Sequence, residues 1–432
     1  MSSSANIQKT VDLFLEKHTY GGDTMGRLSD GRAVFVPFGL PGEHVRIRLT
    51  DEKRGFARGE LLEILEASPH RIVPRCKHFG ICGGCHYQSL PYEEQLNAKR
   101  EILRDQLSRI GRIENPPVQK MIASPDPWNY RNHVQFHLTE AGKLGFVGAG
   151  LSSGQGVISI TECHLPEASL NSLWPQLEFE PDTDIERVSL RAGKEEDLML
   201  VLEGNSPESP ELEIEAGISV AHVFEENAVV IAGNDHIFIS VLGHDFRVSA
   251  ASFFQVNTAM AEKMVHHLMT HLLIPSVPTG HPPTLLDIYC GVGLFSAFFA
   301  PKCERVIGIE SSPSACEDFT FNLDEFDNIE LYEGSAEEVL PALVGRIALS
   351  GRSAANPLYT LVDPPRAGLD KRVVDGILNL NPQVIAYVSC DPSTLARDAA
   401  RLIGGGYQLK DVTPFDLFPQ TYHIESISLF ER

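Results

Sequence analysis

No basic block followed by an apolar run opens this chain of 432 residues, and no apolar stretch runs unbroken for the width of a bilayer. The most apolar segment, Leu285 to Ala300, is interrupted by Asp287, Gly291 and Gly293. Secretion and membrane insertion are therefore not expected, and a cytoplasmic location is. Positive charge is scarce too: 36 Lys and Arg stand against 58 Asp and Glu, a net charge of -22. That total argues against a polyanion binder, but its distribution is uneven. Residues 1 to 140 carry 19 basic and 17 acidic side chains, whereas residues 151 to 250 carry 4 and 19. The acid sits mostly mid-chain, as on a solvated face turned away from any polyanion. The length predicts roughly two to four domains, and 43% hydrophobic residues suffice for packed cores.

Disulfide staples are not expected either, because large chains without a secretion signal seldom use them. The eight cysteines fall into two sets. Cys76, Cys82 and Cys85 form C-x5-C-x2-C with Cys163 further on, and Cys290, Cys303, Cys316 and Cys390 occupy the last third. Four thiolates can hold tetrahedral zinc or an iron-sulfur cluster; buried, unliganded thiols are the plainer alternative. Gly83 and Gly84, with Gly80 nearby, let backbone amides approach inorganic sulfur, which favours a cluster. The C-x3-C-x2-C spacing of radical enzymes is absent.

Residues 8 to 66 read as short strands and turns. From His44 to Leu49 polar and apolar residues alternate, so His44, Arg46 and Arg48 share one face and Val45, Ile47 and Leu49 the other. Lys53 to Arg58 then makes a basic turn with one aromatic, Phe56. Small RNA-binding barrels use such surfaces, and a face that only keeps the domain soluble fits equally. Pro91 to Gly111 reads as a helix with Leu96, Leu103, Leu107 and Ile110 on one side. Lys99, Arg100, Arg104 and Arg109 fall on its polar, solvated side. Tyr130 to Leu138 alternates again, with His133 and His137 as ordinary strand histidines. Ser206 to Glu215, rich in Pro, Ser and Glu, reads as a connection.

Thr284 to Tyr289 is an apolar run leading into Cys290-Gly291-Val292-Gly293-Leu294-Phe295 and a helix. Strand, glycine turn and helix begin a nucleotide-binding fold, and Val306 to Glu310 ends in an acid placed to accept ribose hydroxyls. Ser296 occupies the place of the third glycine of the dinucleotide fingerprint, which favours S-adenosylmethionine over NAD. Tyr359 to Val362 delivers Asp363-Pro364-Pro365-Arg366 to the ligand side of the same sheet, and Val384 to Val388 delivers Cys390. Amino methyltransferases carry an aromatic after a similar D-P-P; Arg366 stands there instead. Both features point to thiolate chemistry on a pyrimidine. Carbon 5 of uracil takes a methyl group only after a nucleophile adds to carbon 6, a step suited to cysteine. A carboxylate is then base enough to remove the carbon 5 proton. Cys390 is the expected nucleophile and Glu425, 35 residues later, the expected base.

Together these residues resemble the RNA uracil-5-methyltransferases that act on ribosomal RNA or on the transfer-RNA T loop, over nearly the whole chain. The resemblance implies a multidomain α/β protein. Residues 1-67, with Pro41-Gly42-Glu43 and the alternating strand, would form a small β-barrel of TRAM type. Residues 68-92 and 125-250 would form a central α+β iron-sulfur domain, and 93-124 with 251-432 a Rossmann-like methyltransferase domain. A four-iron, four-sulfur centre is implied on Cys76, Cys82, Cys85 and Cys163. Donor contacts are implied for Gln255, in Phe253-Phe254-Gln255-Val256-Asn257, and for Tyr289, Glu310 and Asp363. Cys390 and Glu425 keep the roles given above. Leu294 departs from relatives, which often carry Asn there, and Ser335 stands where Asp or Asn commonly faces adenine, so no adenine contact is carried over from the resemblance. The expected partner of a monomeric chain is RNA, ribosomal RNA first and transfer RNA second, without a membrane. Two competing readings are a non-catalytic RNA-binding platform and a redox enzyme built on the cluster. Intact Cys390, Asp363 and Glu425 oppose the first, and nothing supplies the second with a hydride or electron partner. A structural clamp is the simplest role for the cluster.

Overall fold

The computed structural model describes residues 9-150, 156-181, 183-211, 217-225, 227-272, 282-349 and 357-432. Residues 212-215 of the expected connection, and the chain up to residue 8, lie outside the described residues. Two compact units emerge. The first takes Met1–Ile102, Phe146–Ile158 and Phe418–His423; the second takes Leu103–Gly145, Ser159–Leu417 and Ile424–Arg432.

In the first unit, β1 (Thr10–His18), β2 (Asp23–Arg27), β3 (Ala33–Pro37), β4 (His44–Glu52) and β5 (Phe56–Glu66) close into a barrel in the order β1-β2-β3-β5-β4. Alternation drives it: Val45, Ile47 and Leu49 point inward and pack with Leu13, Leu15, Val34, Val36 and Ala57. Each such side chain contributes roughly 1.5-3 kcal/mol by burial. The outward arginines are not a free cationic strip. Arg46 holds Asp12 and Glu63, Arg48 holds Glu60, Arg32 holds Asp30 and Glu52, and Arg58 holds Asp23. Cross-strand carboxylates, invisible in a one-strand reading, neutralise the face expected to be basic.

Glu43 fixes how the chain leaves the barrel. Its carboxylate is fully buried and accepts from Arg71 Nε at 2.5 Å, Arg71 Nη2 at 2.8 Å, and the backbone N–H groups of Leu40 and Ser68. Helix α1 (Tyr92–Arg109) matches the expected helix, with Leu96, Leu103 and Leu107 buried, but stops before Ile110, which is exposed. Lys99 departs from its expected solvated place. It is buried, and its ammonium donates to the Phe418 carbonyl at 3.0 Å. One turn earlier the Gln95 amide donates to the Tyr87 and Leu90 carbonyls and to Gln420 Oε1, so this helix face is a polar seat for Phe418–His423.

Next in chain order comes a mixed seven-stranded sheet, β12-β11-β10-β9-β6-β7-β8. It is built from β6 (His133–Leu138), β7 (Leu144–Val147), β8 (Val157–Ser159), β9 (Ile185–Ala192), β10 (Leu198–Gly204), β11 (Ser219–Phe224) and β12 (Asn227–Ala232), with α2 (Ala168–Leu173) inserted before β9. The His133 pKa is pulled down to about 3 by burial and by Arg191 and Arg131. A hairpin of β13 (His236–Val241) and β14 (His244–Ser249) follows, then α3 (Thr258–His271), whose Asn257 cap accepts from the Met260 N–H.

The last sheet is built from β15 (Thr284–Ile288), β16 (Arg305–Glu310), β17 (Ile329–Glu333), β18 (Leu358–Val362), β19 (Val384–Ser389), β20 (Gln408–Phe415) and β21 (Glu425–Glu431). Its helices are α4 (Leu294–Phe299), α5 (Pro313–Asn322), α6 (Ala336–Leu349), α7 (Lys371–Leu380) and α8 (Pro392–Gly404). Every residue of β18 is buried, as expected of a parallel strand covered on both faces. The order is β17-β16-β15-β18-β19-β21-β20, with β21 antiparallel to β19. The chain thus begins in the middle, winds to one edge and crosses back, leaving a switch point between β15 and β18. Residues 117-122 run along β20, where the Gln119 and Ile122 N–H groups donate to the Val412 and Pro414 carbonyls.

Removing the Glu43 carboxyl strands the Arg71 charge and two backbone donors. Glu43→Ala is expected to lower stability by about 3 kcal/mol in urea unfolding, and an unchanged midpoint would refute the clamp.

Candidate active site

Register brings the expected residues together. Ile288 pairs with Ile309 on one side and Val362 on the other. Tyr289, Glu310 and Asp363, each one residue further, therefore lie level at the carboxyl ends of three adjacent parallel strands, around the switch point. On the far side, Ser389 pairs with Ser426 in antiparallel register. The next residues along, Cys390 and Glu425, are consequently opposite one another. The charges of both Glu425 and Asp363 act on the Cys390 thiol.

The turn after β15 is tightly specified. Tyr289 has a φ of 66°, rare for a residue with a side chain, and its backbone N–H and that of Cys290 both donate to the Ile309 carbonyl. Gly293, at φ 91°, heads α4, and a Cβ there would sit 2.3 Å from Leu323 Cδ1. Gly291, at φ 54°, faces open space, so a Cβ there would meet nothing within 4 Å. That gap is a cradle a ligand can fill. Glu310 closes the turn by accepting from the Gly291, Ser311 and Ser312 N–H groups at 2.7-2.9 Å. The Ser311 hydroxyl adds a longer contact to Oε1 at 3.4 Å, so Oε2, which accepts only from Gly291, keeps an acceptor position for a ligand hydroxyl. The Tyr289 hydroxyl donates to Glu337 Oε1 at 3.3 Å.

Two buried acids flank the turn. Burial, and then the Asp287 charge, raises Asp363 to about 7. Asp287 is likewise raised to about 7 by burial, against the lowering hydrogen bond from Ser296 Oγ at 2.6 Å. Its Oδ1 is buried with no hydrogen-bond partner. An orphaned acid oxygen, a raised acid and an open glycine cradle suit a cationic, hydroxyl-bearing nucleoside. Asp287 was not singled out as a site residue because it sits inside an apolar strand; a lone acid there is the signal.

Cys390 follows β19, and Asp391 caps α8 by accepting from the Ser393 and Thr394 N–H groups. Burial raises the thiol to about 12, with Glu425 and Asp363 adding to it and Arg366 opposing. The ligand-free Cys390 thiol is thus held protonated. Gln255 lies between β14 and α3, where its carbonyl accepts from Asn132 Nδ2 at 3.0 Å, and Phe253 beside it is exposed.

Comparison with known proteins supplies the rest. Residues 6–62 match the TRAM domain, and residues 234–432 match a family described as tRNA (Uracil-5-)-methyltransferase. Curated proteins named as uncharacterised RNA methyltransferases are 34% identical in Aquifex aeolicus and 32% in Thermosynechococcus vestitus. The alignments cover 98% of this chain and 99% of the relative in the first case, and 97% of each in the second. The chain belongs to the RNA uracil-5-methyltransferase family. It is accordingly an RNA methyltransferase with S-adenosylmethionine as its donor. The crystal structure of Pyrococcus abyssi tRNA (uracil-54, C5)-methyltransferase with S-adenosyl-L-homocysteine shares the fold, with a TM-score of 0.71 and 23% identity over 97% of this chain and 99% of that one.

The cysteine set stands differently from this family's strand-end site. None of the eight cysteines is in a disulfide. Cys76, Cys82 and Cys85 lie in one irregular loop of the first unit, where the Gly84 N–H donates to Cys82 Sγ at 3.4 Å. Cys163 belongs to the second unit. Among the described residues, no three His, Cys, Asp or Glu side chains gather into a group that could hold a metal, so the expected cluster finds no support in this geometry. Among the same residues, no helix is long and apolar enough to cross a membrane.

The raised acids carry a pH signature. Asp363 holds a proton in the folded chain up to about pH 7, whereas its ordinary pKa is 3.8. Its stabilising contribution is full below that ordinary value and is lost as pH rises to about 7. Asp363→Asn is therefore expected to melt several degrees above the parent at pH 8 and level with it near pH 4, by scanning fluorimetry. Equal melting at both pH values would refute the assignment.

Proposed function

We propose that this enzyme methylates carbon 5 of a uridine in large-subunit ribosomal RNA through a covalent bond from Cys390 to carbon 6. The observation that carries the reading is the opposition of Cys390 and Glu425 across β19 and β21, beside Asp363. Gln255, Tyr289, Glu310 and Asp363 hold the donor, which supplies the methyl group that carbon 5 takes. The target base, turned out of its loop, lies against Cys390. The Cys390 thiol gives its proton to water and its sulfur bonds to carbon 6, pushing the ring electrons onto carbon 5 and oxygen 4. Positive charge near Asp363 favours that ionisation, since it offsets an acid that holds the thiol neutral. After carbon 5 is methylated, Glu425 takes its proton, the electrons return to the ring, and the bond from sulfur to carbon 6 breaks.

Removing the thiol abolishes the route and removing the base stalls it. Cys390→Ala is expected to give no product in a single turnover with labelled donor, and retained methylation would rule out covalent catalysis. Glu425→Gln is expected to lose about 10²-10⁴ in rate and to accumulate an RNA-protein adduct on denaturing gels. RNA carrying 5-fluorouridine should trap the same adduct in the parent enzyme, because its carbon 5 has no proton to lose.

Ribosomal RNA is the first of the two substrates that the resemblance implies for a chain with this barrel and cysteine loop. Transfer RNA is favoured instead by the names of the matching family and of the Pyrococcus abyssi enzyme. Mapping 5-methyluridine in total RNA from a deletion strain separates them: loss from large-subunit RNA alone is expected, and loss from transfer RNA alone reverses the choice. The cysteine spacing is also read here as a ligand set for a cluster that takes no part in methyl transfer. The amide-to-sulfur contact at Cys82 supports it, while among the described residues no three His, Cys, Asp or Glu side chains form a metal-holding group. Protein purified without air should carry about four irons per chain; an iron-free, active preparation would discard the cluster.

A further inference from the structure

Helix α5 carries two buried polar residues one turn apart, Asp318 and Asn322, that no step of methyl transfer uses. Positions i and i+4 share one helix face. Asp318 is 0% exposed and accepts from the Ser249 N–H at 2.8 Å, Ser249 Oγ at 2.7 Å and Ser252 Oγ at 2.6 Å, while Arg247 Nε lies 3.3 Å from it. Ser249 and Ser252 bound the turn that leads directly into Phe253–Asn257. From the other side, Arg191 Nη1 donates to the carbonyls of the same two serines, each at 2.9 Å. Asn322 donates to the Arg247 carbonyl and to the Val292 carbonyl of the glycine turn, and accepts from the Arg247 N–H. The first residues of α5 follow Glu310, whose carboxylate accepts from Ser311 and Ser312.

One short helix therefore touches every wall assigned to the donor on this side of the sheet: the segment bearing Gln255, the glycine turn, and Glu310. We propose that Asp318, with Asn322 one turn on, is a positioning residue that sets the separation between the Gln255 segment and the glycine turn, and so tunes affinity for the donor. Asp318 touches neither donor nor base; it acts through Ser249 and Ser252. A buried carboxylate with three hydrogen-bond donors and an arginine around it holds that geometry rigidly. The proposal rests on Gln255 being a donor contact.

Calorimetry with S-adenosylhomocysteine on the full chain, together with kcat at saturating donor, tests it. Asp318→Asn replaces one acceptor oxygen by an amide nitrogen facing N–H and O–H donors, and is expected to weaken binding about tenfold. Ser252→Ala removes a single hydroxyl, preserves folding more readily, and is expected to weaken binding by a smaller factor in the same direction. In both variants kcat at saturating donor and KM for RNA stay within about twofold, whereas a purely structural lesion lowers the active fraction and leaves the Kd unmoved. Unchanged Kd in both, with Gln255→Ala weakened, overturns the role of Asp318 alone. Unchanged Kd in Gln255→Ala overturns the reading of the wall itself, and the proposal with it.

Discussion

Main-chain pairing between β19 and β21 is the constraint on which the chemistry depends. Cys390 and Glu425, separated by 35 residues in sequence, meet because an antiparallel ladder places Ser389 against Ser426, leaving the next residue of each strand face to face. A slip of one residue would turn every side chain of β21 to the other face of the sheet. Burial of Ile427 and Leu429 on the face opposite Ser426 and Ser428 guards against that slip. The opposition of Cys390 and Glu425 is thus specified by apolar packing along the strand.

The site is assembled at an electrostatic disadvantage. Glu425, Asp363 and Asp391 bring acid together around a thiol that burial alone already keeps neutral. Among the causes acting on Cys390, Arg366 is the opposing charge. Without ligand, the sulfur is poorly nucleophilic and poorly reactive towards stray electrophiles. Such a site is complementary to positive charge before it holds any, which is the sense in which binding and activation are linked.

The strand-end residues were legible because parallel strands buried on both faces write themselves as apolar runs, and the residue after each run falls at the ligand side. Tyr289, Glu310, Asp363 and Cys390 all follow that rule. What escaped notice has partners distant in sequence. Lys99 reads as one more cation on a helix until Phe418 supplies a carbonyl, and Asp318 as one more acid until Ser249 and Ser252 surround it. The arginines of β4 look like a basic face because their carboxylates come from other strands.

Those paired arginines shape how the barrel meets a polyanion. Each guanidinium sits within a few ångströms of an opposite charge, so its field cancels over a short distance and the outer wall behaves as an array of small dipoles. Long-range steering from that wall is weak. A phosphate that arrives must displace a carboxylate, so contact there is an exchange between anions, and discrimination depends on fit at close range more than on attraction from afar.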